Sequence, residues 1–132
     1  MSIKKSILLI TLLLVVSLKS KSQDTLWVDV TFAGKTSGKI SKEEVIKFDK
    51  LVLENKNDKT LRISHFLMTV VCKDKDISEY ENKKDDYLTQ EMMEAIRNCS
   101  IGCNILFEFI RITSAKTESN HFMGRPLMLR IE

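Results

Sequence analysis

A period of two in the placement of apolar side chains is the feature of this sequence that most restricts its fold. Between Leu26 and Phe32 every second residue is apolar, and the same alternation returns between Leu127 and Ile131. Successive side chains of a β-strand point to opposite faces, so each of these segments predicts a half-buried strand. A helix would instead need apolar residues three and four positions apart.

Two longer segments predict the middle of a sheet. Segment 62–72 carries apolar side chains on both faces, which is typical of a central strand that is covered on both sides. Segment 104–113 alternates in the same way. Its pattern places Ile105, Phe107 and Phe109 on one face of the strand, and Leu106, Ile110 and Ile112 on the other.

Two short helices interrupt the strands. Ser41 begins the run Ser-Lys-Glu-Glu, a capping box in which Ser41 and Glu44 can each bond a free amide of the first helical turn. Thr89 caps a second predicted helix that continues through Asn98. The turn at 55–58 predicts a hairpin between the short strand 51–54 and the next strand, and the polar run 73–86 predicts a solvated connection.

The fold class that follows is mainly β. Extended segments dominate and two short helices are inserted, so we expect an antiparallel β-sandwich of the immunoglobulin-like kind, with a compact α+β domain as the alternative. Residues 23–132 have the length of a single domain and show neither an internal repeat nor a linker.

The first 22 residues predict a secretory signal peptide. Lys4 and Lys5 form a basic start, the run from Ile7 to Leu18 is almost wholly apolar, and cleavage is expected after Ser22. That run has 12 residues, whereas a membrane-spanning helix needs roughly 20. We therefore expect a periplasmic or secreted protein with no stable membrane anchor after cleavage; an uncleaved anchor is the alternative.

Charge argues against a nucleic-acid partner. The predicted leader holds four lysines and no acid, so the remaining chain has 17 basic and 18 acidic residues and a net charge of −1. Nucleic-acid binding would require a basic face to neutralise phosphates.

Three cysteines leave more than one pairing open. Cys99 and Cys103 can form a disulfide between the end of the second helix and the next strand. Cys72 is an equally good partner for Cys103 if their strands are neighbours, and buried free thiols are the third reading.

No catalytic constellation is present in the sequence. The run from Gly34 to Lys39 has the wrong spacing for a phosphate-binding loop, and the two histidines and three cysteines are too scattered to predict a zinc site. We predict neither a cofactor nor a metal. Binding is expected on the connecting loops, with Trp27 on the polar face of the first strand as a candidate anchor; a tryptophan that lies flat on a covered sheet face is the alternative. The candidate contact residues are Trp27, Lys35, Lys39, Asp74, Asp76 and Tyr80.

A family resemblance accompanies these motifs. Segment 32–45 reads FAGKTSGKISKEEV, and it resembles the opening of the C-terminal domain of the gliding-motility protein GldM, where glycines surround a lysine before a short helix. Later segments follow in the family's order across nearly the whole of residues 26–132. They are 51–53 (LVL), 63–66 (ISHF), the helix before Gly102, 105–110 (ILFEFI) and 125–127 (RPL).

The resemblance implies a module of the cell envelope in the type IX secretion and gliding lineage that acts by contacting another protein. The family's motor role is not carried over. We therefore expect an exported, non-enzymatic protein-binding module whose partner is another envelope protein. A small extracytoplasmic enzyme or ligand carrier is the alternative; a large apolar cavity with converging polar groups would favour it.

Overall fold

A computed structural model describes residues 25–54, 58–115 and 121–132 of the chain. The predicted signal peptide lies outside these residues. In the described part of the chain, nine strands and two helices follow one another. They are β1 (Thr25–Val28), β2 (Val30–Thr31), β3 (Ser37–Ile40), α1 (Lys42–Val45), β4 (Val52–Leu53), β5 (Arg62–Val71), β6 (Ser78–Asn82), α2 (Gln90–Arg97), β7 (Asn104–Thr113), β8 (His121–Gly124) and β9 (Leu127–Ile131).

Seven of the strands form one sheet around β7. Strand β5 pairs with one side of β7, and β6 pairs with the far side of β5. The other side of β7 is shared, because β9 pairs with its first half and β8 with its second half. Strand β1 then lies beside β8 and β3 beside β9, so the N-terminal strands form one edge of the sheet and β6 forms the opposite edge.

The core lies on one face of this sheet. Phe107 is fully buried there, and its ring centroid lies 5.0 Å from that of Phe32 and 6.1 Å from that of Phe66. The covering layer comes from the two helices and from a two-stranded ribbon that β2 and β4 form. Its buried side chains include Val30, Val45, Leu51, Met92 and Ile96.

Local sequence signals explain both helices. The side chain of Ser41 accepts a hydrogen bond from the Glu44 amide at 3.2 Å, and the side chain of Thr89 accepts one from the Met92 amide at 3.2 Å. Each bond satisfies a donor that the first helical turn leaves free. Both predicted helix starts are therefore confirmed.

The mainly β prediction with two short helices is confirmed, and the structure corrects its details. The sheet is antiparallel through its middle, but β1 runs parallel to β8 and β3 runs parallel to β9. The hairpin at 55–58 is also wrong, since β4 pairs back with β2 and not with β5. The polar run 73–86 contains strand β6, whose alternate residues face water at the sheet edge.

Candidate functional site

A row of side chains crosses the outward face of the sheet, opposite the core. Residues paired across neighbouring strands share a face of the sheet. Trp27 in β1 is paired with Met123 in β8, Met123 with Arg111 in β7, and Arg111 with His65 in β5. Glu81 in β6 completes the row, because its carboxylate contacts Nε2 of His65 at 2.5 Å. We call these five residues the outer row.

Two irregularities in the pairing of β5 with β7 shape the middle of the outer row. The register shifts between Ile63 and His65 and again between His65 and Leu67. At the second shift Phe109 adopts a positive φ of 51°, a conformation that is uncommon outside glycine. Such a bulge inserts one residue into a strand and moves the following side chains to the opposite face.

The bulge changes which apolar side chains of β7 are buried. Alternation predicts that Phe109 shares the inner face with Ile105 and Phe107, and this is wrong: Phe109 is 58% exposed. Ile110 and Ile112 are buried in its place. The displaced phenyl ring lies beside the outer row, where the backbone oxygen of Phe109 is 3.3 Å from Nδ1 of His65.

A wide depression of about 920 Å³ on the outward face is bordered by Phe109 and by every outer-row residue except Trp27. Its wall combines the rings and chains of Phe109, Met123 and Leu67 with the polar groups of His65 and Arg111. Trp27, half exposed, stands next to Met123 at the edge of this area. The surface thus presents apolar contact area, the permanently charged guanidinium of Arg111, and the contact between Glu81 and His65.

Electrostatics hold the acid of that pair in its charged form. The hydrogen bond with His65 lowers the pKa of the Glu81 carboxyl below its ordinary range, and the positive charges of Lys83 and Arg111 act in the same direction. Both ring nitrogens of His65 face an acceptor oxygen, one from Glu81 and one from the Phe109 carbonyl. A neutral imidazole has one N–H, so in either tautomer one of these two oxygens accepts a hydrogen bond from the ring and restrains its orientation.

The predicted contact residues do not come together in one place. Trp27 lies on the outward face. Lys35 and Lys39 lie at the β3 edge, where the Lys35 ammonium donates to the Lys39 carbonyl at 2.6 Å and Lys39 pairs with Glu132 at 3.5 Å.

The remaining predicted contacts lie near the other edge of the sheet. Asp74 and Asp76 are in the exposed turn after β5. Tyr80 is paired with the buried Met68 and so faces inward, where it packs against the core.

Sequence reasoning missed Arg111, Phe109 and Met123, and it treated His65 as an ordinary strand histidine. The alternation within β7 gave no sign of the bulge that exposes Phe109. Met123 belongs to β8, a strand that the sequence did not predict.

The cysteines pair differently from the first sequence prediction. A disulfide joins Cys72 to Cys103, and Cys99 is a buried free thiol. The pairing of Cys99 with Cys103 is therefore wrong, and the alternative through Cys72 is the one formed. The reason is the sheet: β5 and β7 are neighbours, and the pairing of Val71 with Asn104 brings Cys72 next to Cys103.

These three cysteines are also the one group of three metal-ligating side chains found within the described residues. Two of their sulfurs are bonded to each other, so they are not thiolates that could hold an ion in this state. No helix in residues 25–54, 58–115 and 121–132 combines the length and the apolar character that a membrane crossing requires.

A scan of the chain against protein-family models finds no match, and a search of curated proteins likewise finds no relative.

Proposed function

We propose that this chain is an exported, non-enzymatic protein-binding module of the cell envelope, and that it contacts its partner through the outer row and the neighbouring Phe109. The observation that carries the proposal is the accumulation of Trp27, Phe109 and Met123 on a sheet face that the chain's own helices leave uncovered. Trp27 is 50% exposed and Phe109 is 58% exposed. Aromatic residues and arginine are the side chains that most often dominate the energetics of protein interfaces.

The charged members of the outer row support a protein partner with polar side chains at the rim of its own contact surface. Arg111 offers a planar group of donors, and the Glu81 carboxylate keeps its negative charge down to acidic pH. Opposite charges on one surface give orientation and selectivity as well as contact area.

The disulfide supports the proposed export. Cys72 and Cys103 are bonded, and disulfides persist in the periplasm and outside the cell, whereas thiol-based reductants keep cytosolic cysteines reduced. The signal-peptide pattern in residues 1–22 points to the same compartment. The ordered resemblance to the GldM C-terminal domain makes a component of the type IX secretion or gliding machinery our proposed partner.

The experiment that tests the proposal is co-purification of the tagged full-length chain from gently solubilised envelope, with mass spectrometry of the proteins that accompany it. The test variant is Trp27→Ala with Phe109→Ala. The matched control is Ile77→Ala with Ile101→Ala, which removes side chains that are 64% and 77% exposed away from the outer row. Ile101 lies before β7 and Phe109 lies late in β7, so the control and test positions are roughly 25 Å apart along an extended chain.

We expect an envelope protein to accompany the unmodified chain and the control variant, and to be lost with the test variant. N-terminal sequencing of the purified chain should begin at Gln23. Equal recovery of the partner by both variants would refute the outer row as the contact surface. Recovery of the cleaved chain only as a free monomer would refute binding altogether.

A ligand carrier is the second candidate, and the depression of about 920 Å³ favours it because His65 and Arg111 converge on it. Native mass spectrometry of the chain purified from envelope extract distinguishes the two. A bound small molecule that His65→Ala and Arg111→Ala abolish supports the carrier, and an accompanying protein supports the binding module.

A further inference from the structure

Three sulfur atoms meet where β5, α2 and β7 have their ends. Cys72 follows β5, Cys99 follows α2, and Cys103 immediately precedes β7. The disulfide occupies two of the sulfurs, and all three lie within 4.8 Å of one another. The remaining thiol, Cys99, is only 2% exposed.

The surroundings hold the free thiol beside the disulfide. The Cys99 thiol donates a hydrogen bond to the Ala95 carbonyl at 3.2 Å. Ala95 lies one turn earlier, in α2. Burial raises the pKa of the Cys99 thiol, and the charges of Lys42 and Lys75 partly oppose that shift. A cavity of about 150 Å³ borders both Cys72 and Cys99, and Cys72 is the more exposed of the two residues.

We propose that the three cysteines form an internal thiol–disulfide exchange site, in which Cys99 displaces Cys72 from Cys103. The Cys99 thiol first loses its proton, and the thiolate sulfur attacks Sγ of Cys103. The bond between Cys99 and Cys103 forms as the bond between Cys72 and Cys103 breaks. The electron pair of the broken bond leaves on Cys72, which takes up a proton, so no external oxidant or reductant is consumed.

The backbone favours Cys103 as the sulfur attacked. Residues 99–103 already form a tight turn, in which the Cys103 amide donates to the Ser100 carbonyl at 3.2 Å. Gly102 allows this turn through its positive φ of 97°. A bond between Cys99 and Cys103 closes over this turn, whereas the present bond ties together two strands 31 residues apart.

The exchange changes which thiol the chain presents. Before it, the free thiol is the buried Cys99; afterwards it is Cys72, which is half-buried beside the same cavity. Cys72 is then accessible to a small thiol reagent or to a cysteine of another protein. The site thus converts an enclosed thiol into a reactive one without altering the oxidation state of the chain.

Trypsin separates the two arrangements cleanly. It cuts after lysine and arginine, so Cys72 lies in peptide 63–73, and Cys99 and Cys103 lie together in peptide 98–111. The present disulfide links these two peptides. The exchanged disulfide lies inside peptide 98–111 and sets peptide 63–73 free.

The experiment treats the folded full-length chain, purified without reductant at mildly alkaline pH, with N-ethylmaleimide and then digests it without reduction. We expect peptide 63–73 to appear unlinked with the label on Cys72, in an amount that rises with time. The Cys99→Ala variant is the control: its two peptides should stay linked and unlabelled, because no thiol remains to start the exchange.

Label on Cys99 alone, or no label on Cys72 until the chain is denatured, would overturn the proposal. A second variant guards against poor folding of the first. Cys72→Ser should form the Cys99–Cys103 disulfide in a glutathione redox buffer while it keeps the circular dichroism of the unmodified chain. Two free thiols in that variant under the same conditions would also overturn the proposal.

Discussion

The disulfide between Cys72 and Cys103 should stabilise this domain strongly, because it restricts the unfolded chain. It closes a loop across 31 residues. Restricting the unfolded chain by such a loop is worth about 3.7 kcal/mol at 25 °C in the chain-entropy description of cross-links. The cleanest background is Cys99→Ala, in which the disulfide is the only pairing available.

The assay is urea unfolding of Cys99→Ala with and without a reducing agent, followed by circular dichroism. With an m-value of about 2 kcal/mol per molar urea, loss of about 3.7 kcal/mol lowers the midpoint by about 2 M. The control is Cys72→Ala in the same background, whose midpoint should already be low and should not respond to the reductant. A reduced Cys99→Ala chain that unfolds within about 0.3 M urea of the oxidised chain would refute the argument.

Three further perturbations test the packing and the outer row. Gly124→Ala places a new Cβ 2.7 Å from a side-chain carbon of Ile110 and should cost about 1–3 kcal/mol in urea unfolding; an unchanged midpoint would contradict this close packing. Phe107→Ala removes the centre of the buried aromatic cluster and should cost about 3–5 kcal/mol by the same assay, so a loss below about 1 kcal/mol would contradict its place in the core. Because the folded chain lowers the pKa of Glu81, its carboxylate stabilises the fold above pH 4.5, the ordinary carboxyl value, and this contribution is lost as the pH falls through the lowered pKa. The difference in thermal midpoint between the unmodified chain and Glu81→Gln should therefore shrink as the pH falls below 4.5, and a difference that keeps growing below that pH would show that the His65 contact does not act as described.

The outer row illustrates how a strand pattern can locate a surface without identifying its members. Alternation in β1 places Trp27 on the face opposite Val28, and the structure shows it half exposed there. The two nearest members of the row, Met123 and Arg111, come from β8 and β7, more than 80 residues later in the chain. Register between such distant strands depends on how the whole sheet packs, which a local period does not encode.

The bulge in β7 shows the same limit inside one strand. Strict alternation would bury Phe109 and expose Ile110, but the strand inserts one residue opposite β5 and reverses both. The reversal keeps Ile110 and Ile112 against the core while the earlier part of β7 keeps Ile105 and Phe107 there. A bulge of this kind is chosen by the fit of two strands, so the sequence of one strand does not reveal it.

The sequence by itself determined what depends on neighbours within a few residues. The period of two established the strands around Phe107 and at the C-terminus, and Ser41 and Thr89 established where the two helices begin. Tertiary structure alone decided the parallel pairing of the N-terminal strands, the exposure of Phe109 and the choice of Cys72 as the partner of Cys103. The physical reason is that strand pairing, bulges and disulfide bonds join residues far apart in the chain, and their energies depend on the packed sheet as a whole.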